Sequence, residues 1–276
     1  MDNYCVLGHP VEHSRSPWIH ARFAELTGQD IKYGKRLVPL DGFVQGLRSF
    51  RSEGGRGCNI TTPFKFEAAP LATTLTARAR LALACNTLRF DGEHDVFADN
   101  TDGIGLVNDV QQNAGLALAG RDLLLIGAGG AAAGVLGPVI EAMPRRIVVT
   151  NRTLGAAQSL VVRHAALARD CHVALAASAL DSVAGAFDVV VNATASSLSG
   201  AAVPVAASVL RRGSLAVDMM YGPAADGFMV WAREHGALPR DGLGMLVQQA
   251  AEAFLVFRGV RPPAAQVLAE LRASLR

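Results

Sequence analysis

"LLLIGAGGAAAGV", residues 123–135, is an apolar run that meets a cluster of glycines and continues into small, helix-compatible residues. An unbroken apolar run of this length reads as a strand covered on both faces. Gly127 permits the tight turn out of the strand, and Gly129 lets the backbone approach a pyrophosphate. Gly130 and Ala131 open a helix whose first N–H groups face the anion. Ala132 holds the third fingerprint position, where alanine is a permitted variant. A packing turn could use the same glycines, but the strand before them and the helix after them favour a dinucleotide.

The next strand decides which dinucleotide. NAD sites place an acidic residue about 20 residues further on, to hold the ribose 2′-hydroxyl. Here "RRIVVTNRT" ends in Asn151, Arg152 and Thr153, with no carboxylate and with one guanidinium. A guanidinium matches a phosphate in charge and in its paired N–H geometry. The expectation is therefore NADP rather than NAD, the alternative being that Arg152 is a solvated surface residue.

Further apolar strands follow in "HVALAAS", "FDVVVNAT" and "SLAVDMMY", which extends the βα series from about residue 102 to 242. The tail, "GMLVQQAAEAFLVFRG" and "PAAQVLAELRASL", is helical. Upstream, "NYCVLG", "IKYGKRLVP" and "GCNIT" read as strands and "LDGFVQGLRSFRSEG" as a helix. "SPWIHARFAELTG" reads as a helix with Ser16 at the N-cap, Pro17 at N1 and Gly28 as its stop. Two more helices are expected, from Pro63 and around Thr76, then a hairpin of "NTLRF" and "DVFADN". Strands alternating with helices imply parallel sheet with crossover helices. The fold class is thus α/β with two domains. Residues 1–101 form a substrate domain completed by helices at 243–276, and 102–242 form a Rossmann-like, doubly wound dinucleotide domain.

A length of 276 residues suits two domains. With 50% hydrophobic and 18% charged residues, the chain has enough apolar material for large cores. A net charge of +2 implies no strong attraction to nucleic acid or anionic membrane. Cys5, Cys58, Cys85 and Cys171 are widely separated, with no zinc-ligand spacing, and read as reduced thiols of a cytoplasmic protein. No metal site is expected. The N-terminus lacks the pattern of a signal peptide, and no apolar stretch is long enough to span a membrane.

"CNITTPFK", residues 58–65, ends in one of only three lysines, Lys32, Lys35 and Lys65; the other 23 basic residues are arginine. Lysine can release a proton where arginine cannot. "FADNTDG", residues 97–103, places Asp99 and Asp102 where the first domain hands over to the second. Both could be turn formers. At the mouth of an interdomain cleft, a carboxylate and a lysine could instead exchange a proton with a hydroxyl while a nicotinamide exchanges hydride. Ser14 and Ser16 precede a helix, Asn59 and Thr61 share one strand face, and Asn86 follows a helix as a possible C-cap. Together they suit a small, oxygen-rich anion.

"HSRSP", "NITTPFK", "CNTL", "DNTDG", "GAGGA", "TNRT", "NAT", "DMMY" and "DGLGMLVQQAA" occur in one order, and over its whole length the chain resembles the shikimate dehydrogenases. The resemblance implies reversible, NADP-dependent conversion of 3-dehydroshikimate to shikimate, in aromatic amino-acid biosynthesis. It implies Lys65 and Asp102 as the acid–base pair, with Ser14 and Ser16 on the substrate carboxylate. Asn59, Thr61, Asn86, Asp102 and Gln249 would surround the ring hydroxyls, with Tyr221 nearby. Gly127, Ala128, Gly129, Gly130 and Ala131 would cradle the pyrophosphate, and Asn151, Arg152 and Thr153 the adenosine phosphate end. Thr194, Met219, Gly242 and Met245 would line the nicotinamide side. Three departures stand out. Leu154, Gly155 and Ala156 occupy the region where many members of the family carry a second basic residue. Ser197 replaces a glycine in "NATASS", and Ala77 replaces an acidic residue beside Arg78. Quinate/shikimate and aminoshikimate dehydrogenases, and a non-catalytic NADP-binding sensor, are the competing readings. The partner is a small molecule, and a homodimer is the candidate assembly.

Overall fold

A computed structural model describes residues 1–92, 94–194 and 202–275; Ser197 lies outside them. Two compact units emerge, one of residues 1–106 with 246–276 and one of residues 107–245. The expected boundary after residue 101 is displaced by several residues, so Asp102 belongs to the first unit. The turn before Asp102 is hydrogen-bonded into that unit's sheet, Asn86 N donating to Asp99 O at 3.1 Å.

In the first unit, β1 (Asp2–Gly8), α1 (Ser16–Thr27), β2 (Ile31–Leu37), α2 (Phe43–Ser52) and β3 (Gly55–Ile60) make the parallel crossovers. The short α3 (Lys65–Ala68), β4 (Thr74–Leu75) and α4 (Ala77–Ala82) precede the hairpin of β5 (Thr87–Phe90) and β6 (Val96–Asp99). The sheet order is β2-β1-β3-β5-β6-β4, mixed because β5 runs antiparallel to both β3 and β6. Its core gathers Leu7, Phe43, Cys58, Ile60, Phe64, Cys85 and Leu88, all 3% exposed or less. Gly28 ends α1 in the left-handed conformation at φ +65°, as expected. Ser16 is not the N-cap: Arg15 stands there in a helical conformation with no side-chain cap, and Ser16 is the first helical residue. Asn86 is not a helix cap either, because α4 ends at Leu83 with φ +53°.

On the sheet's other face, His20 of α1 is 1% exposed and its ring lies flat on Tyr33, 4.1 Å between centroids and 4° apart. Burial lowers the imidazole to about pH 3. The unfolded chain takes a proton near pH 6.5 and the folded one only near 3, so stability falls as pH drops through that window. The expected slope from this residue is about 1.4 kcal/mol per pH unit. Urea unfolding of His20→Phe from pH 7.5 to 5 should show a flatter dependence than the unaltered protein; equal slopes would contradict this assignment.

The second unit carries β7 (Asp122–Ile126), α6 (Gly130–Glu141), β8 (Arg146–Thr150), α7 (Leu154–Asp170), β9 (Ala174–Ser178), β10 (Phe187–Asn192) and β11 (Leu210–Asp218). It closes with α8 (Asp226–Glu234) and β12 (Leu238–Arg240). The sheet is parallel throughout, in the order β9-β8-β7-β10-β11-β12. Counted within the unit this is 3-2-1-4-5-6, the doubly wound dinucleotide arrangement. Leu123, Leu124, Leu125 and Ile126 are at most 2% exposed, as a central strand covered on both faces requires. α5 (Asp102–Asn108) contains the first unit boundary, and α9 (Leu243–Arg258) the second. α10 (Ala264–Ser274) ends the chain's described elements, and Arg22 of α1 holds it by a two-point contact to Glu270 at 2.7 and 3.0 Å. No helix among the described residues is long and apolar enough to cross a membrane.

Candidate active site

Two loops run side by side at the carboxyl ends of β1 and β3. Thr61 N donates to Leu7 O at 2.9 Å and His9 N to Thr62 O at 3.0 Å. A Cβ on Gly8 would overlap the Thr61 methyl at 2.1 Å, so glycine is what lets the two loops close up. The β3 loop leads into α3 through Phe64, which is fully buried and stacked on Phe43 at 4.9 Å. Lys65 opens that helix, and its carbonyl accepts from Cys85 N at 2.9 Å. The lysine backbone is therefore fixed on both sides.

Lys65 Nζ meets Asp102 Oδ2 at 2.5 Å, and the two side chains are 14% and 7% exposed. Asp102 is held from the other side by Asn86, whose Nδ2 lies 2.9 Å from its Oδ1. Asp102 N in turn reaches Asn100 Oδ1 at 3.2 Å, and Asn100 Nδ2 donates to Ala84 O at 2.9 Å. Asp102 also occupies the first turn of α5, where a negative charge is favoured. Asn86 gathers two more partners: its Nδ2 lies 3.1 Å from Gln249 Oε1 and 2.9 Å from Thr101 Oγ1. The ion pair is thus nearly buried, and a ring of amide and hydroxyl groups surrounds it.

The two aspartates of "DNTDG" have separate duties. Asp99 accepts from Thr76 Oγ1 at 2.6 Å and from the Arg78 guanidinium at 2.5 and 2.8 Å. Arg78 also reaches Glu252 at 3.2 Å, tying α9 into the first unit. Asp99 is a structural anchor, which leaves Asp102 as the carboxylate open to chemistry.

Of the expected substrate residues, Lys65, Asn86, Asp102 and Gln249 meet in one hydrogen-bonded cluster. Asn59 joins it through Asn86 O at 3.0 Å and Thr87 Oγ1 at 3.0 Å. Ser14 and Ser16 form a separate pair in the β1 loop, Ser16 N donating to Ser14 Oγ at 3.3 Å. Thr61 lies with its methyl against Gly8, at the end of β1. Tyr221 lies in the second unit, just before a short 3-10 turn. Sequence reading passed over Thr101, Thr87 and Tyr33. Thr101 could have been found, since it lies inside the "DNTDG" motif; Thr87 and Tyr33 carry no local signal. Cys85, next to Asn86, is pushed up to about 12 by burial, so its thiol stays protonated.

In the second unit the glycine turn has the features a dinucleotide needs. Gly127 sits at φ +114°, and a Cβ there would lie 3.0 Å from Ala193 O, so both conformation and space demand glycine. A Cβ on Gly129 would meet no protein atom within 4 Å. No internal contact requires glycine at 129, which fits a position kept bare for a ligand. Gly130 and Ala131 begin α6, which has no side-chain cap and no acidic residue in its first turn. Its leading N–H groups suit a pyrophosphate. Asn151 folds back on Thr153 O at 3.1 Å, while Arg152 is exposed and makes no hydrogen bond or ion pair among the described residues. A guanidinium unpaired among the described residues, at the end of this unit's second strand, fits a ribose phosphate.

Thr194, Met219 and Gly242 come together at the carboxyl ends of β10 and β11. Thr194 Oγ1 donates to Asn192 Oδ1 at 2.7 Å, Asn192 Nδ2 reaches Asp218 Oδ2 at 3.1 Å, and Met219 N donates to Asn192 O at 3.0 Å. Gly242 N donates to Met220 O at 2.8 Å, and a Cβ on Gly242 would lie 2.3 Å from Met219 O. Met245, 5% exposed, is the last residue of this unit. In open sheets of this kind ligands bind outside these strand ends. Among the described residues no cluster of His, Cys, Asp or Glu could hold a metal ion.

Comparison with known proteins gives the same answer in every segment. Residues 6–88 match the shikimate dehydrogenase substrate binding domain, 109–218 the shikimate / quinate 5-dehydrogenase family, and 242–272 the shikimate 5'-dehydrogenase C-terminal domain. A protein of Paracidovorax citrulli (strain AAC00-1) named shikimate dehydrogenase (NADP(+)) is 66% identical over 274 residues, 99% of this chain and 98% of that one. The crystal structure of shikimate 5-dehydrogenase from Thermus thermophilus in complex with NADP(H) and shikimate superposes with a TM-score of 0.85. It is 31% identical and covers 100% of both chains. The Ael1 enzyme from Pseudomonas putida superposes with a TM-score of 0.88 at 42% identity, over 98% of each chain.

Proposed function

The chain belongs to the shikimate dehydrogenase family, and on that premise we propose that it catalyses the reversible, NADP-dependent reduction of 3-dehydroshikimate to shikimate in aromatic amino-acid biosynthesis, with Lys65 and Asp102 as its acid–base pair. The observation that carries the mechanism is the 2.5 Å contact between Lys65 Nζ and Asp102 Oδ2, inside a ring of hydroxyl and amide groups. When bound, the cofactor supplies hydride to the carbonyl carbon or takes it back.

Lys65 does the complementary proton work. During reduction its Nζ–H is given to the carbonyl oxygen as that oxygen gains charge; during oxidation Nζ takes the hydroxyl proton. Asp102 keeps the lysine side chain aimed and accepts the neighbouring ring hydroxyl. The two groups are coupled, and the transferred proton belongs to the pair. Gln249 and Asn86 orient further ring hydroxyls, and Ser14 and Ser16 take the carboxylate. Two serines there, with nothing bulkier, favour shikimate over quinate, whose carboxylate-bearing carbon carries an extra hydroxyl. The four free cysteines fit a cytoplasmic enzyme.

Following 3-dehydroshikimate and NADPH by proton NMR tests the reaction directly. Stoichiometric appearance of shikimate is expected. Cofactor binding without turnover would favour the sensor reading.

Arg152 makes the cofactor choice testable. Arg152→Ala should lower kcat/KM for NADP⁺ by about 10- to 100-fold, the range expected when a charge-assisted contact is lost. The value for NAD⁺ should change little, and equal losses with both cofactors would remove Arg152 from phosphate recognition.

A further inference from the structure

We propose that Tyr33 is a positioning residue for the Lys65–Asp102 pair, acting through a chain of hydrogen bonds whose direction is set at every link. The proposal rests on the reading of that pair given above. Thr101 N donates to Asn86 Oδ1 at 2.8 Å, and a backbone N–H can only donate. This fixes the Asn86 amide, so its Nδ2 faces the Asp102 carboxylate. Thr87 Oγ1, 2.9 Å from the same Asn86 oxygen, must then spend its single hydrogen there. Its lone pair is left to accept from Asn59 Nδ2 at 3.0 Å, whose other hydrogen goes to Asn86 O. Asn59 Oδ1 is left as an acceptor, and the Tyr33 hydroxyl fills it at 2.7 Å.

The intermediate side chains are sealed from water: Asn59 is 7% exposed, Asn86 3% and Thr87 0%. The bonds from Asn59 to Thr87 and from Thr87 to Asn86 are buried, which keeps water out of the middle of the chain. The far end is rigid as well, because the Tyr33 ring is held flat against buried His20. Burial of the Tyr33 hydroxyl, with Cys5 and Cys58 beside it, raises the phenol well above its ordinary value, which keeps it a donor. Hydrogen bonds in series inside a protein strengthen one another. Removing the terminal donor leaves Asn59 Oδ1 buried and unpaired. The amide must then turn, and Thr87 and Asn86 lose the arrangement that steadies Asp102.

Tyr33→Phe keeps the ring and its stacking and deletes only the hydroxyl. It should lower kcat for shikimate oxidation about five-fold, the effect of losing one net hydrogen bond on the reacting pair. KM should stay within about two-fold on the same reasoning, and the acidic limb of the kcat profile should move to higher pH. Thr87→Val should reproduce this, and Thr87→Ser, which keeps a hydroxyl, should recover most of the lost rate. A readout free of turnover is the Asn86 side-chain NH₂ resonance pair in ¹⁵N spectra. It should move upfield in Tyr33→Phe as the bond to the carboxylate slackens. Absence of shikimate oxidation by the unaltered protein would overturn the function and leave this spectral test standing. Unmoved Asn86 resonances in Tyr33→Phe, or a lower Tm with kcat and its pH profile unchanged, would overturn the relay alone.

Discussion

Lys65→Ala should reduce kcat for shikimate oxidation by about 10²-fold or more, the usual worth of a positioned acid or base. The reason lies in the geometry at Nζ. The Lys65 side chain is 14% exposed and its Nζ sits 2.5 Å from Asp102 Oδ2, so water has little access to the point where the proton must move. Alanine removes the amine half of the coupled pair that exchanges that proton. KM should change far less, because Gln249, Asn86 and the Ser14–Ser16 pair remain to bind the ring. A loss confined to kcat would mark an interaction made in the transition state. Lys65→Arg separates charge from proton. It restores a cation beside Asp102, but a guanidinium does not release its proton at working pH. Arginine should thus remain nearly as impaired as alanine. Recovery of activity in Lys65→Arg would mean that positive charge alone is what the reaction uses.

The largest effect on stability is expected at a second ion pair, within the second unit. Asp109 is fully buried, and Arg240 of β12 faces it with both ends of the guanidinium, at 2.5 and 2.6 Å. Asn113 adds a third donor at 2.8 Å. A Cβ on Gly244 would fall 1.8 Å from Asp109 Oδ1, so only glycine at 244 leaves room for the carboxylate. Arg240→Leu leaves it buried without its cation, a loss of about 3–5 kcal/mol. Against a typical total of about 5–15 kcal/mol, that is a large fraction. Urea unfolding followed by a probe in the second unit should show the midpoint drop. Adding Asp109→Leu to Arg240→Leu should recover much of it, since the unpaired charge is then gone. A single variant as stable as the unaltered protein would show that solvent reaches the carboxylate.

How far these sites could be read from sequence depends on the range of their interactions. The glycine turn was legible because Gly127, Gly129 and the flanking apolar run are local requirements, spaced within a few residues. The strands of the second unit were legible because burial on both faces leaves unbroken apolar runs. α8 and β12 were not: the first follows a Gly-Pro turn with no side-chain cap, and the second is three residues long with Pro239 at its centre. Ser16 looked like a cap because serine before Pro17 commonly is one. The helix instead starts a residue earlier than that pattern implies, with Arg15 already in helical geometry. Asn86 looked like the end of α4, yet its side chain is spent on residues 15, 16 and 163 positions away. Lys65 and Asp102 could be suspected singly, from the scarcity of lysine and from the doubled aspartate. Their contact spans 37 residues and needed the fold to bring it about. Tyr33 had no such mark, since a tyrosine in a strand is ordinary and its role depends on four partners elsewhere in the chain.

One initial-rate panel tests the central claim most directly: shikimate and quinate, each with NADP⁺ and with NAD⁺, on the same preparation. Fast reduction of NADP⁺ with shikimate, and much slower rates in the other three combinations, is the predicted result. Quinate oxidised rapidly with NAD⁺, with shikimate and NADP⁺ slow, would contradict both the substrate assigned to the Lys65–Asp102 site and the cofactor assigned to Arg152.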